Sequence, residues 1–167
     1  MHNINVSEID AVIFDFDGVL TDNNVYVDSS GNEQVCCYRG DGLAFDVFRK
    51  LGVNVCIFST EKNLVVTARA KKLQVPVYQS ISNKLESLDA FVKENNYKYS
   101  NLFYIGNDLN DYLAMKKCGF SACPSDSHSK IKEISTFQLR AKGGCGVARE
   151  LIESVFKLDI IKILYLK

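Results

Sequence analysis

Apolar positions along the chain follow two rhythms that take turns. Short unbroken runs rich in β-branched and aromatic residues appear in "IDAVIFD", "VNVCIFST", "VPVYQS" and "NLFYIGND". Such runs predict strands buried on both faces of a sheet. Between them lie stretches with apolar residues three and four apart, the spacing of a helix with one buried face. "DGLAFDVFRKLG" is the first, carrying Leu43, Phe45, Val47, Phe48 and Leu51, with Gly52 as its stop. "NLVVTARAKKL", "NKLESLDAFVKENN", "LNDYLAMKKCG" and "VARELIESVFKL" follow, with a short strand in "FSACP" and a helical turn or two in "SHSKIKEI". Strand and helix in alternation predict an α/β fold with a parallel sheet.

Two segments break the rhythm. "NVYVDSSGNEQVCCYR" has two alternating halves around Ser29-Ser30-Gly31-Asn32, so it predicts a β-hairpin projecting from the sheet over about 23–38. "AKGGCGVARE" is a glycine-rich segment, about 141–149, running into the last long helix. The final "DIIKILYLK" is apolar enough to require cover, from the body or from a neighbour. No repeat, low-complexity tract or internal linker interrupts the 167 residues, so one domain over 1–167 is expected.

Composition narrows the partners. Lys and Arg number 20 and Asp and Glu number 20, so no global field recruits nucleic acid or an anionic membrane. No apolar run is long enough to cross a bilayer, and the N-terminus does not read as a signal peptide. The six cysteines lack Cys-x-x-Cys spacing, and Cys36 and Cys37 are adjacent. Reduced thiols in a cytoplasm fit that pattern better than a disulfide framework or a zinc site.

Candidate chemistry sits at the strand ends. Asp15 and Asp17 follow the first strand, Ser59 and Thr60 the second, Asn107 and Asp108 the fourth. In open α/β sheets ligands bind outside the carboxyl ends of the strands. Two carboxylates this close repel unless a cation lies between them. Mg²⁺, which takes oxygen ligands and keeps several waters, needs only one or two carboxylates and a carbonyl. A carboxylate can attack phosphorus to form an aspartyl-phosphate, and a second can protonate the leaving alcohol and then activate water. Ser59 can donate to the transferring group, and Lys84, in "SNK" before a helix, can cancel part of its charge. Singly, each piece also has a plain reading as turn, cap or solvated lysine.

In order along the chain, "DFDGVLTD", Ser59, Lys84 and "GNDLND" resemble the four motifs of the haloacid dehalogenase superfamily of phosphohydrolases. About two dozen residues separate Asp17 from Gly40, enough for a hairpin and too few for a folded cap domain. With "RGDG" and "AKGGCGVARE", this resembles the capless group of 3-deoxy-D-manno-octulosonate 8-phosphate phosphatases. The resemblance implies a three-layer Rossmann-like parallel sheet without a cap and a homotetramer with shared active sites. It makes Asp15 nucleophile and metal ligand, and Asp17 general acid/base and ligand through its carbonyl. Ser59 and Lys84 then hold the phosphoryl group, and Asn107, Asp108 and Asp111 complete or orient the Mg²⁺ site.

Two departures matter. Asn107 stands where the family usually has Asp, which removes a negative charge. Ser59-Thr60-Glu61-Lys62 replaces a Thr-Gly-Arg, so Glu61 favours hydroxyl, amide or ammonium groups over a carboxylate. That resembles the branch acting on nine-carbon ulosonate or acylneuraminate 9-phosphates. Thr60, Glu61, Lys72 and Arg149 become candidate substrate contacts, with Lys142 or Arg149 helping to close a neighbour's site. The expected substrate is thus an eight- or nine-carbon 2-keto-3-deoxy sugar acid phosphate. A non-catalytic module supporting a sugar-acid cytidylyltransferase stays open, although Asp15, Asp17 and Lys84 together argue against it. A phospho-acceptor signalling domain fits less well, because its aspartate follows a middle strand.

Overall fold

A computed structural model describes residues 4–166. In chain order the strands are β1 (Ala11–Asp15), β2 (Thr21–Val27), β3 (Glu33–Cys37), β4 (Val55–Phe58), β5 (Val77–Tyr78), β6 (Leu102–Ile105), β7 (Phe120–Cys123) and β8 (Phe137–Gln138). The α-helices are α1 (Asp41–Lys50), α2 (Val65–Leu73), α3 (Lys84–Asn95), α4 (Tyr112–Lys117), α5 (Ser129–Ile134), α6 (Val147–Glu150) and α7 (Ile160–Leu164). Among the described residues six strands form one sheet in the order β5-β4-β1-β6-β7-β8, and β2 and β3 form a separate ribbon. All pairings within the larger sheet are parallel.

Alternation along each strand sorts the core into two layers. Val12 and Phe14 of β1, Val55 and Ile57 of β4, and Phe103 and Ile105 of β6 face α1, α2 and the helix from Val147. Ala11 and Ile13, Cys56 and Phe58, and Leu102 and Tyr104 face α3, α4 and α5. Both faces are covered, which is why the sequence shows continuous apolar runs here. The α/β fold read from the pattern is the one observed, in the three layers without a cap that the resemblance implied, and the hairpin projects from the first crossover.

The differences are local. Strand β8 pairs with β7 through Ala122↔Phe137 and Cys123↔Gln138 and carries no apolar run to announce it. "LNDYLAMKKCG" divides into a 3₁₀ turn at Leu109–Asp111 and then α4, because Asp108 and Asp111 cap that turn reciprocally. "VARELIESVFKL" opens as α6 and widens to a π-helical turn over Leu151–Val155. Residues 1–3 and 167 of the expected 1–167 domain, including the last lysine of "DIIKILYLK", lie outside the described residues. Among the described residues no helix is long and apolar enough to cross a membrane.

Candidate active site

Strand register brings the polar strand ends together. Asp15 aligns with Phe58 and Phe14 with Ile105, so Asp15, Ser59 and the Gly106–Asn107 pair leave the sheet at one level. Asp15 is almost wholly buried there. Its Oδ1 accepts the Phe16 N–H at 2.7 Å and pairs with Lys84 Nζ at 2.6 Å, leaving Oδ2 for the site. Lys84 comes from the first position of α3, which Asn83 caps by accepting from the Leu85 and Glu86 N–H groups. An exposed asparagine cap thus starts the helix at Lys84, whose own side chain is buried under the strand ends.

Lys84 is shared. Its Nζ also lies 2.7 Å from Asp111 Oδ1, which accepts the Tyr104 hydroxyl at 3.0 Å. Asp111 Oδ2 accepts the Asn107 N–H at 3.0 Å and the Asp108 N–H at 3.4 Å. Asp111 was expected to complete or orient the metal site. It is fully buried, and its two oxygens hold Lys84, Tyr104 and the Gly106–Asp108 loop. One ammonium serves two buried carboxylates, and the electrostatics follow. Burial raises the Asp15 carboxyl well above its ordinary range, Asp111 adds to this, and Lys84 only partly offsets it. Burial lowers the affinity of Lys84 for its proton, but Asp15 and Asp111 outweigh that and leave it raised. The cluster is short of positive charge.

The missing charge has a place. The Asn107 amide atom that faces the strand ends lies 3.1 Å from Asp15 Oδ2 and 2.9 Å from the Asp17 carbonyl oxygen. With nitrogen inward the amide donates to both; with oxygen inward, three oxygens converge. Neighbouring ligands on an octahedron with metal–oxygen bonds of about 2.1 Å are about 3.0 Å apart, so the donor set fits Mg²⁺. Among the described residues no three Asp, Glu, His or Cys side chains form a metal cage. A carboxylate, a carbonyl and an amide with room for waters is the sparser arrangement that Mg²⁺ accepts. Gly18 makes this approach possible: its φ is +77°, and a Cβ there would collide with the Asn107 side chain.

Asp17 is half-buried at the rim. Burial and then Glu61 raise its carboxyl above the ordinary range, while a hydrogen bond from the Thr21 hydroxyl at 3.4 Å lowers it. Thr21, wholly buried, also accepts the N–H groups of Gly18 and Asn23, so it fixes the loop carrying Asp17. Ser59 Oγ accepts the Glu61 N–H at 3.1 Å and keeps its own proton to donate. A pocket of about 180 Å³ opens over Asp15 and Asp17, walled by Thr60, Glu61, Asn107 and Asp108 and also by Asn23 and Asn110. Asp108 gives one oxygen to the Leu109 N–H at 2.7 Å as it caps its turn.

Other expected residues lie elsewhere. Lys72 is exposed in the last turn of α2, about 10 Å along the axis from Val65. Arg149 pairs with Glu153 at 3.0 Å on the surface, and its N–H donates to Asp41. The glycine-rich segment braces its own chain's loop after β1: the Gly144 N–H donates to the Val19 carbonyl at 3.0 Å, and Gly143 lies so close to the Gly18 carbonyl that no Cβ would fit. Asn23 on the pocket wall and Thr21 beneath the loop carry no mark in the sequence pattern. A lone threonine or asparagine in a turn carries no periodic signal; "LTDNN", with two asparagines at the foot of a hairpin, was the available hint.

Comparison with known proteins agrees with this geometry. The haloacid dehalogenase-like hydrolase family matches residues 49–151. The 3-deoxy-D-manno-octulosonate 8-phosphate phosphatase KdsC of Escherichia coli is 30% identical over 156 residues, covering 90% of this chain and 83% of that protein. A HAD family hydrolase of Streptomyces avermitilis superimposes with a TM-score of 0.88 at 36% identity, over 91% of this chain and 87% of that one. The octulosonate phosphatase of Moraxella catarrhalis, solved with magnesium, phosphate and KDO, superimposes with a TM-score of 0.85 at 28% identity, over 95% and 88%.

Proposed function

We propose that this chain, which belongs to the haloacid dehalogenase-like hydrolases, is a Mg²⁺-dependent phosphatase of the octulosonate phosphatase kind. Its substrate is the terminal phosphate ester of an eight- or nine-carbon 2-keto-3-deoxy sugar acid, and it works in the cytoplasm. The observation carrying this reading is Asp15, a buried carboxylate with one oxygen held by Lys84 and Phe16 and the other facing an open polar pocket. The names of the relatives support the substrate class.

Asp15 attacks phosphorus, and the bond from phosphorus to the leaving oxygen breaks as Asp17 gives that oxygen its proton. The Asp17 carboxylate then takes a proton from water, the water oxygen attacks the aspartyl-phosphate, and Asp15 is released with inorganic phosphate. The Asp15 carboxylate, the Asp17 carbonyl and the Asn107 amide oxygen would hold Mg²⁺, with Asp108 beside them. The bound ion neutralises charge on the phosphoryl oxygens. The Ser59 hydroxyl donates to a phosphoryl oxygen, and Lys84 offsets part of what burial costs the Asp15 carboxylate. The exposed hairpin residues Val25, Tyr26 and Val27 favour a homotetramer in which hairpins meet and Lys142 or Arg149 reaches a neighbouring site. Glu61 and Thr60, on the pocket wall, contact the sugar.

Phosphate release from octulosonate, nonulosonate and hexose phosphates with added Mg²⁺ tests the reading. Asp15→Asn should reduce turnover by about a thousandfold or more while the fold is retained. Retention of more than a few per cent of activity in that variant, after excluding deamidation, overturns the assignment. A chelator that leaves activity intact removes the metal.

A further inference from the structure

The pocket over Asp15 continues sideways into a second chamber of about 190 Å³ between the hairpin and the body. The two spaces share Asp17, Asn23 and Glu61. The acid that protonates a leaving oxygen must touch the leaving group, so a space running on past Asp17 lies on the leaving-group side. Its outer wall is Glu33 of β3 against Asn63, whose Nδ2 donates to Glu33 Oε2 at 2.6 Å. Asn63 is itself fixed: Oδ1 accepts the Val65 N–H at 3.0 Å, and its carbonyl accepts from Gln79 at 2.8 Å. Val25, Val35 and Val65 supply the apolar lining. No lysine, arginine or histidine among the described residues lines the chamber.

Asn23 stands where the two spaces meet. It lies in the irregular register between Thr21 and Val25, with φ +65°, and its N–H is held by Thr21 Oγ1 at 3.3 Å. A non-glycine residue in that backbone region is uncommon, and such conformations gather where a side chain must be aimed.

We infer that this chamber receives the carbons next to the ester oxygen and accepts a hydroxylated, uncharged stretch there while rejecting a carboxylate. Asn23 is a specificity residue touching both the phosphoryl end and the first carbons of the leaving group. Two amides and two carboxylates offer acceptors and donors to hydroxyls, and the valines cover the carbon chain between them. A negative charge placed between Glu33 and Glu61 meets like charge on both sides. A sugar acid enters with its carboxylate end outermost. The inference rests on the phosphatase reading above, and the experiment separates the two.

Steady-state kinetics on three esters suffices: para-nitrophenyl phosphate, glycerol 3-phosphate and 3-phosphoglycerate. Hydrolysis of none of them overturns the phosphatase reading itself. Given hydrolysis of the first, glycerol 3-phosphate should be preferred over 3-phosphoglycerate by about tenfold or more in kcat/KM. Glu33→Gln and Glu61→Gln should each narrow that ratio, since glutamine keeps the size and loses the charge. Asn23→Gly, which removes the side chain while suiting the backbone, should raise KM for glycerol 3-phosphate more than for the nitrophenyl ester. Equal use of the two three-carbon esters overturns the chamber's role, as does neglect of both or a ratio unmoved by both glutamine variants. An equal KM change for all esters in Asn23→Gly makes Asn23 structural.

Discussion

The floor of the site and its hairpin rim are built on opposite plans. At the floor Asp15, Lys84 and Asp111 are buried, and each is held by at least one partner from another element. In the hairpin Val25, Tyr26 and Val27 are 52%, 62% and 63% exposed, and the ribbon is pinned to the body by a few contacts such as Glu33 to Asn63. Burial makes the floor's charges depend on one another, so a change there disturbs both chemistry and stability. The rim is little involved in holding the fold. On the proposed reading, reaction type resides in the floor and selectivity in the rim.

Lys84→Met is the severest test of the floor. It leaves Asp15 and Asp111 as neighbouring buried carboxylates, and removing one partner of a buried ion pair costs about 3–5 kcal/mol. Urea unfolding at pH 7.5 should show that loss, and activity should fall about a hundred- to a thousandfold. A variant as stable as the parent would show that the floor is not interdependent. The double variant Lys84→Met with Asp111→Asn should recover part of the stability without the activity.

The seam between floor and rim is Asp41, first residue of α1 and a few residues beyond the hairpin. Burial pushes its carboxyl up to about 6, against the pull of the Arg149 N–H, of Arg69 and of the Ala148 N–H. Its Oδ2 has no hydrogen-bond partner among the described residues. Because the folded value lies above the unfolded one of about 3.9, its stabilising contribution is complete below about pH 4. It is lost as pH rises through about 6. Asp41→Asn should therefore match the parent at low pH and exceed it by about 1–3 kcal/mol at pH 8. Parallel stability curves from pH 4 to 8 would rule out this titration, in which Arg69, Arg149 and Cys37 are the facing groups.

A smaller effect is expected at Asn107, on the floor's open side. Asn107→Asp restores a negative charge beside Asp15 Oδ2, so the Mg²⁺ concentration for half-maximal activity should fall by about tenfold. A rise would make Asp108 the ligand. Smallest of all should be Tyr26→Ser at the rim, within about 0.5 kcal/mol for a single chain. A larger loss that depends on protein concentration would mean the hairpin is covered by another copy, and light scattering during size exclusion would show the change in mass.

Much of this could be read along the chain. Continuous apolar runs marked β1, β4 and β6, and the polar residues ending them marked the site's level, because both signals are local and strand ends face ligands in parallel sheets. Asp15, Asp17 and Lys84 could be singled out as candidates from their order, and the fold pairs Asp15 with Lys84. Strand β8 was not, since Phe137–Gln138 gains its identity only by pairing with β7. Nor was the division between Asp111 and Asn107. Both stand in "GNDLND", and only the fold turns one inward to Lys84 and the other outward to Asp15. The chamber beyond Asp17 is also tertiary, made where Glu33 meets Asn63, thirty residues apart in sequence. Sequence pattern determines which residues form an element and which face they share. Which lone pair is already taken, and which remains for a substrate, is decided by the elements that pack around it.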